Sequence, residues 1–180
     1  MNNVPLLVLH DRDIFPNASE PMDIVWKDRP TGKAVIFDED GNIALIGNKV
    51  NHFFLLPGGG IDEGESIIDG VRRECQEETG CTVEILDELG MTEDFRSRDS
   101  KHCFSFGYSA KVVAHGTPNL TDGEADIGAY MRWVPLPEAI TLLAQQEERV
   151  RAGEVKFYNT CFNTIRDLLF LKRANELQQK

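Results

Sequence analysis

Apolar and polar positions change period several times along this chain. Lys33 to Phe37 and Asn42 to Ile46 are β-rich runs, which predicts two strands. Asp38-Glu39-Asp40-Gly41 lies between them, and its Asp-Gly step favours a tight hairpin. Phe53 to Leu56 predicts a third short strand, which Pro57 and Gly58-Gly59-Gly60 stop and open into a loop. From Ser66 to Thr79 the period becomes helical: Ile67, Val71 and Cys75 repeat at every fourth position. Ser66 with Asp69 supplies an N-cap pattern, and Gly80 stands where a left-handed C-terminal residue belongs. Strands follow at Thr82 to Leu86, His102 to Ala114 and Ala129 to Val134. Pro135 and Pro137 lead into a helix to about Glu148. From Phe157 to Leu177 one stripe carries Tyr158, Cys161, Phe162, Ile165, Leu168 and Leu169, which predicts a packed amphipathic helix. Leu6 to Leu9 and Asp23 to Trp26 read as two further strands in an N-terminal extension, residues 1–29. The main domain is then 30–180, an α/β (α+β) arrangement with helices covering a mixed sheet, because strict βαβ alternation is missing.

Composition narrows the choice of partner. With 41% hydrophobic residues in 180, the chain suits one domain with a real core. A formal charge of −11 argues against long nucleic acid or an anionic membrane as partner. A small anionic substrate stays compatible, since a bound divalent cation inverts the local charge. The opening residues lack the pattern of a secretory signal, and no stretch approaches a membrane span. Cys75, Cys81, Cys103 and Cys161 form no C-x-x-C pair, so the expected compartment is the reducing cytoplasm.

Chemistry concentrates on the first long helix. At about 100° per residue, Glu74, Glu77 and Glu78 fall on one stripe beside the apolar Ile67, Val71 and Cys75. Such a run is ordinarily a solvated face, and its members repel one another. A hard cation reverses that repulsion, and Mg²⁺ favours clustered carboxylate oxygens supplemented by substrate phosphates. The segment resembles the Nudix box, G-x5-E-x7-R-E-U-x-E-E-x-G-U with U apolar. Gly59, Glu65, Arg73, Glu74, Glu77, Glu78 and Gly80 meet every fixed letter, and Cys75 and Cys81 fill the U positions.

The resemblance implies a Nudix fold, a mixed β-sheet sandwiched between helices, and a pyrophosphohydrolase acting on a nucleoside diphosphate linked to another moiety. It implies Glu74 and Glu78 as main ligands of Mg²⁺, with Mn²⁺ as substitute. Glu77 would be a further ligand or base, and a carbonyl of Gly58 or Gly59 a further oxygen. Arg73 and Glu65 would orient the carboxylates. Relatives in that family often take a further acid from outside the box; Glu124 is the candidate here, with Asp126 second, against the alternative of a solvated loop.

Substrate contacts are expected from Gly59, Gly60 and Phe54, and from Arg96 and Arg98 in a basic cluster with Lys101 and His102, against the alternative of a solvated strand edge with protective charges. His52, Phe53 and Phe54 border the same loop, where they could line a base pocket, although apolar residues at strand spacing are more often core; Asn159 and Asn163 lie four apart on the last helix, where they could meet a base edge or stand as plain surface amides. The region after the box lacks the proline of ADP-ribose hydrolases, 95 to 97 being Phe-Arg-Ser, and the tyrosine of dinucleoside polyphosphate hydrolases. That favours (deoxy)nucleoside triphosphates or a nucleotide sugar. A non-catalytic nucleotide sensor and an RNA 5′-end pyrophosphohydrolase are the competing functions, and the N-terminal extension and final helix are candidate homodimer elements.

Overall fold

The computed structural model describes residues 4–18 and 21–179, and for Glu124 the backbone only. Seven strands form one sheet in the order β1 (Leu7–His10), β5 (Thr82–Arg96), β6 (Lys101–Ala114), β2 (Lys27–Phe37), β3 (Asn42–Gly47), β4 (Phe54–Leu55), with β7 (Tyr130–Pro135) also on β3. β1 runs parallel to β5 and β2 parallel to β6, while the remaining pairs are antiparallel, so the sheet is mixed. Five helices complete the described chain: α1 (Asp11–Ile14), α2 (Ile67–Thr79), α3 (Asp122–Asp126), α4 (Leu136–Arg151) and α5 (Tyr158–Gln178).

Alternation along the central strands decides which helix packs where. Ala34 and Ile36 of β2 point to one face and pack with Ala44, Val71 and Cys75, which seats α2. Val35 and Phe37 point to the other and pack with Leu45, Leu143, Leu168 and Phe170, which seats α4 and α5. Burial of those large side chains stabilises by roughly 1.5–3 kcal/mol each, so the two faces together hold the helices on opposite sides of the sheet.

Local signals mark α2 well. Ser66 Oγ accepts from the Asp69 N–H at 3.2 Å, and Gly80 closes the helix at φ 72°, donating its N–H to the Gln76 carbonyl. Long-range pairing changes other boundaries. β5 runs ten residues past Leu86, through register shifts around Glu88 and a Gly90 at φ 117°, because β6 stays opposite it to Lys101. Asp23 to Trp26 pairs with no strand among the described residues; the chain enters the sheet at Lys27, opposite Lys101. The stretch before Arg29 joins the main core: β1 adds an edge strand, and Leu9 and Ile14 pack with Phe53, Phe162 and Ile165.

Candidate active site

A glycine loop runs between the two helical layers and fixes the acid stripe to the sheet. Gly58, at φ 123°, donates its N–H to Glu78 Oε2 at 2.6 Å, while its carbonyl accepts from Lys33 Nζ on the opposite side. A side chain there would overlap the Gly32 carbonyl, so only glycine lets the loop lie so close to β2. The Gly59 carbonyl accepts from Gly32 N–H at 3.0 Å, and a Cβ on Gly59 would stand 2.6–2.7 Å from the Glu74 carboxylate. Loop and carboxylate are thus in van der Waals contact.

Arg73 organises the remaining carboxylates. Its Nε and Nη2 donate to the two oxygens of Glu65, each at 3.1 Å, and Nη2 also reaches the Gly60 carbonyl at 2.9 Å. Nη1 donates to Glu74 Oε1 at 2.8 Å and to Glu77 Oε2 at 3.2 Å. The guanidinium hydrogen bonds, with the Asp62 N–H, hold the Glu65 carboxyl below its ordinary pKa; the same carboxylates raise that of Arg73. Glu74 and Glu77 therefore turn to a common nitrogen, and Glu78 turns to the loop. Among the described residues, no three acidic, histidine or cysteine side chains converge as a ready-made cation cage. The donor set still fits a hard divalent cation: it is all carboxylate oxygen, and Glu74 and Glu77 already meet around one positive group.

Across the loop lies a cavity of about 230 Å³, bounded by Gly58 and Gly59 and by five cations, Arg29, Lys33, Arg96, Lys101 and Arg166. Lys33 is buried, which pushes its pKa down, partly offset by the attraction of Asp167. Arg166 is also buried, paired at 2.8 Å with Asp167, whose other oxygen accepts from Leu56 N–H at 2.9 Å.

The expected residues do not all meet here. Glu74, Glu77, Glu78, Arg73, Gly58, Gly59 and Gly60 gather around the loop, and Arg96, Lys101, Asn159 and Asn163 line the cavity. Arg98, on the turn after β5, lies instead over the rings of Phe15 and Tyr158, at 4.9 and 4.6 Å. Phe54 packs edge-on against Tyr130 and bonds through its backbone to Gln146. Phe53 is a core residue beneath Arg149, and His102 stacks on Phe95 and lies tilted against Phe104 on the other face of β6. His52 holds φ 58° in the turn before β4. Asp126 is exposed at the end of α3, and the Glu124 side chain lies outside the described residues. That acidic segment starts close to the stripe, since Asn119 N–H donates to the Glu77 carbonyl at 2.8 Å.

Arg29, Lys33 and Arg166 escaped the sequence pattern. A lysine within the apolar run of β2, and an Arg-Asp pair within the apolar last helix, were the available signals.

A mixed sheet between helices, with an acid stripe docked on a glycine loop, defines an α/β domain with a candidate cation and phosphate site. A family model described as NUDIX domain matches residues 27–159. The ADP-ribose pyrophosphatase of Methanocaldococcus jannaschii is 30% identical over 119 residues, covering 54% of this chain and 70% of that protein. A putative 8-oxo-dGTP diphosphatase of Bacillus subtilis is 30% identical over 100 residues, covering 56% of this chain and 62% of its own length. Among solved structures, the MutT protein of Methanosarcina mazei Go1 aligns with a TM-score of 0.52 at 23% identity, over 74% of this chain and 100% of that one. A NUDIX hydrolase from Nitrosomonas europaea aligns with a TM-score of 0.55 at 22% identity, over 78% and 89%. At such identities the two structures speak to the fold alone. The chain belongs to the NUDIX family, whose members generally use divalent metal ions. Among its described residues, no helix is long and apolar enough to cross a membrane.

Proposed function

We propose that this protein is a Mg²⁺-dependent pyrophosphohydrolase that cleaves a nucleoside diphosphate linked to another moiety. As a Nudix-type hydrolase it acts on phosphoric anhydride bonds. The observation that carries the reading is the placement of three glutamates of α2 on one side of a glycine loop whose other side is walled by cations.

Glu74 and Glu78 are the proposed principal metal ligands, with Glu77 as a further ligand or as base. The cation supplies neutralisation of the charge that develops on the anhydride. Arg73 keeps Glu74 and Glu77 oriented, and the loop keeps Glu78 in place. A water oxygen attacks phosphorus, the bridging oxygen leaves with the other phosphoryl group, and the water proton passes to a carboxylate, Glu77 or Glu124. Positive charge on the cavity wall attracts an anionic substrate to this side of the loop. The two relatives are named as a pyrophosphatase and a putative diphosphatase, and both names describe such a reaction in those proteins. The substrate classes we favour are (deoxy)nucleoside triphosphates and nucleotide sugars.

A panel of nucleotides, with phosphate and pyrophosphate release followed with and without Mg²⁺, tests the activity. Glu78→Gln should lower any Mg²⁺-dependent turnover by at least about a hundredfold; unchanged turnover in that variant refutes the ligand assignment.

A further inference from the structure

The lining of the cavity presents hydrogen-bond donors and few acceptors. Asn159 and Asn163 turn their Oδ1 atoms to Arg96 Nη1 and Nη2, at 3.0 and 2.9 Å. A guanidinium only donates, so each amide keeps its carbonyl on Arg96 and leaves its NH₂ to donate elsewhere. The hydroxyls of Thr31 and Ser105 are engaged with each other at 2.8 Å, and Ser105 also accepts from Arg166 Nη1. Arg166 spends Nε on Asp167 and Nη1 on Ser105, yet its Nη2, in a side chain only 3% exposed, has no hydrogen-bond partner among the described residues. A buried donor left unmade is costly unless a ligand completes it. Arg29 and Lys101 add two more cations, the latter with Asp99 at 3.7 Å, while Arg96 is held by Asp94 as Arg166 is by Asp167; no described residue lining the cavity is itself acidic or aromatic.

A purine or pyrimidine presents a flat face and an edge of mixed donors and acceptors. This wall supplies no ring to stack on and little to accept. Phosphate oxygens offer acceptors only and carry the opposite charge, which matches cations and NH₂ groups converging from four elements. We propose that the cavity holds a phosphate monoester that the substrate bears outside the cleaved anhydride. The preferred substrates are therefore nucleoside diphosphate derivatives with one further phosphate, such as one on a ribose hydroxyl, ahead of triphosphates and nucleotide sugars without it, which narrows the classes favoured above. This rests on the proposed hydrolase function for the position of the anhydride, across Gly58 and Gly59 beside Glu74 and Glu78.

Binding of three matched nucleotides decides the matter independently of turnover. The full chain in Mg²⁺ is titrated calorimetrically with adenosine 5′-monophosphate and with adenosine 2′,5′- and 3′,5′-bisphosphates, none of which contains an anhydride. At least one bisphosphate should bind about tenfold tighter or more, and Arg29→Gln and Lys101→Gln should each shrink that ratio several-fold. Equal affinities in the unaltered protein, or a ratio that both variants leave intact, overturn the proposal. Turnover of NADP against NAD is measured alongside. If no nucleotide of the panel is cleaved, the hydrolase function fails while the binding ratio still judges the cavity.

Discussion

Gly59→Ala perturbs the site by a single methyl group at a defined place. The added Cβ would sit 2.6–2.7 Å from the carboxylate carbon and both oxygens of Glu74, whereas ordinary contact begins at 3.4 Å. Gly59 is not among the glycines at positive φ, so the backbone accepts alanine and the clash alone is felt. Restoring contact moves the carboxylate by roughly 0.7 Å, away from the position in which it faces Arg73, and displacements near 1 Å cost on the order of a hundredfold in rate. Because the crowded atoms are the end of a flexible side chain, the carboxylate gives way and stability should fall by less than about 1 kcal/mol. Urea denaturation reads the second effect, and Mg²⁺-dependent nucleotide hydrolysis at saturating metal reads the first. Glu74→Asp, one methylene shorter, should return part of the stability lost in Gly59→Ala when the two are combined. A Gly59→Ala protein that turns over within threefold of the unaltered one would refute the proposed role of Glu74 packed against the loop.

Three further outcomes are expected. Arg73→Lys keeps a charge but loses the fork that serves Glu65, Glu74, Glu77 and the Gly60 carbonyl together; it should cost about 2 kcal/mol in urea denaturation, with a matching fall in metal-dependent rate. Asp167→Ala leaves Arg166 buried without its counter-charge and Leu56 N–H without its acceptor, a loss of about 3–5 kcal/mol readable by thermal denaturation. Lys33 has a native pKa below its ordinary 10.5, with burial as the largest cause, so the unfolded chain binds the extra proton between those two values. Its contribution to stability therefore rises with pH across that window, and Lys33→Met should flatten the slope of stability against pH there; an unchanged slope would contradict the assignment.

The Nudix-type motif and the helix that carries it are determined by local sequence. Ser66 with Asp69, Glu65 with Arg73, and Arg73 with Glu74 and Glu77 lie within eight positions of one another. Helix period alone sets Glu74, Glu77 and Glu78 on a common stripe, so their grouping needed no knowledge of the rest of the chain. Apolar runs likewise marked most strands and the last helix. Only the tertiary structure decided the cavity. Arg29 and Lys33 come from β2, Arg96 from β5, Lys101 from β6 and Arg166 from α5, brought together by the parallel pairing of β2 with β6 and the docking of α5. It also carried Arg98 away onto Phe15 and Tyr158, although Arg98 sits two residues from Arg96 in the same basic cluster. The physical reason is that a helix or turn is set by neighbours whose spacing the backbone fixes. Partners distant along the chain meet only because burial of both sheet faces outweighs the entropy of closing the loops between them, and that balance belongs to the whole molecule.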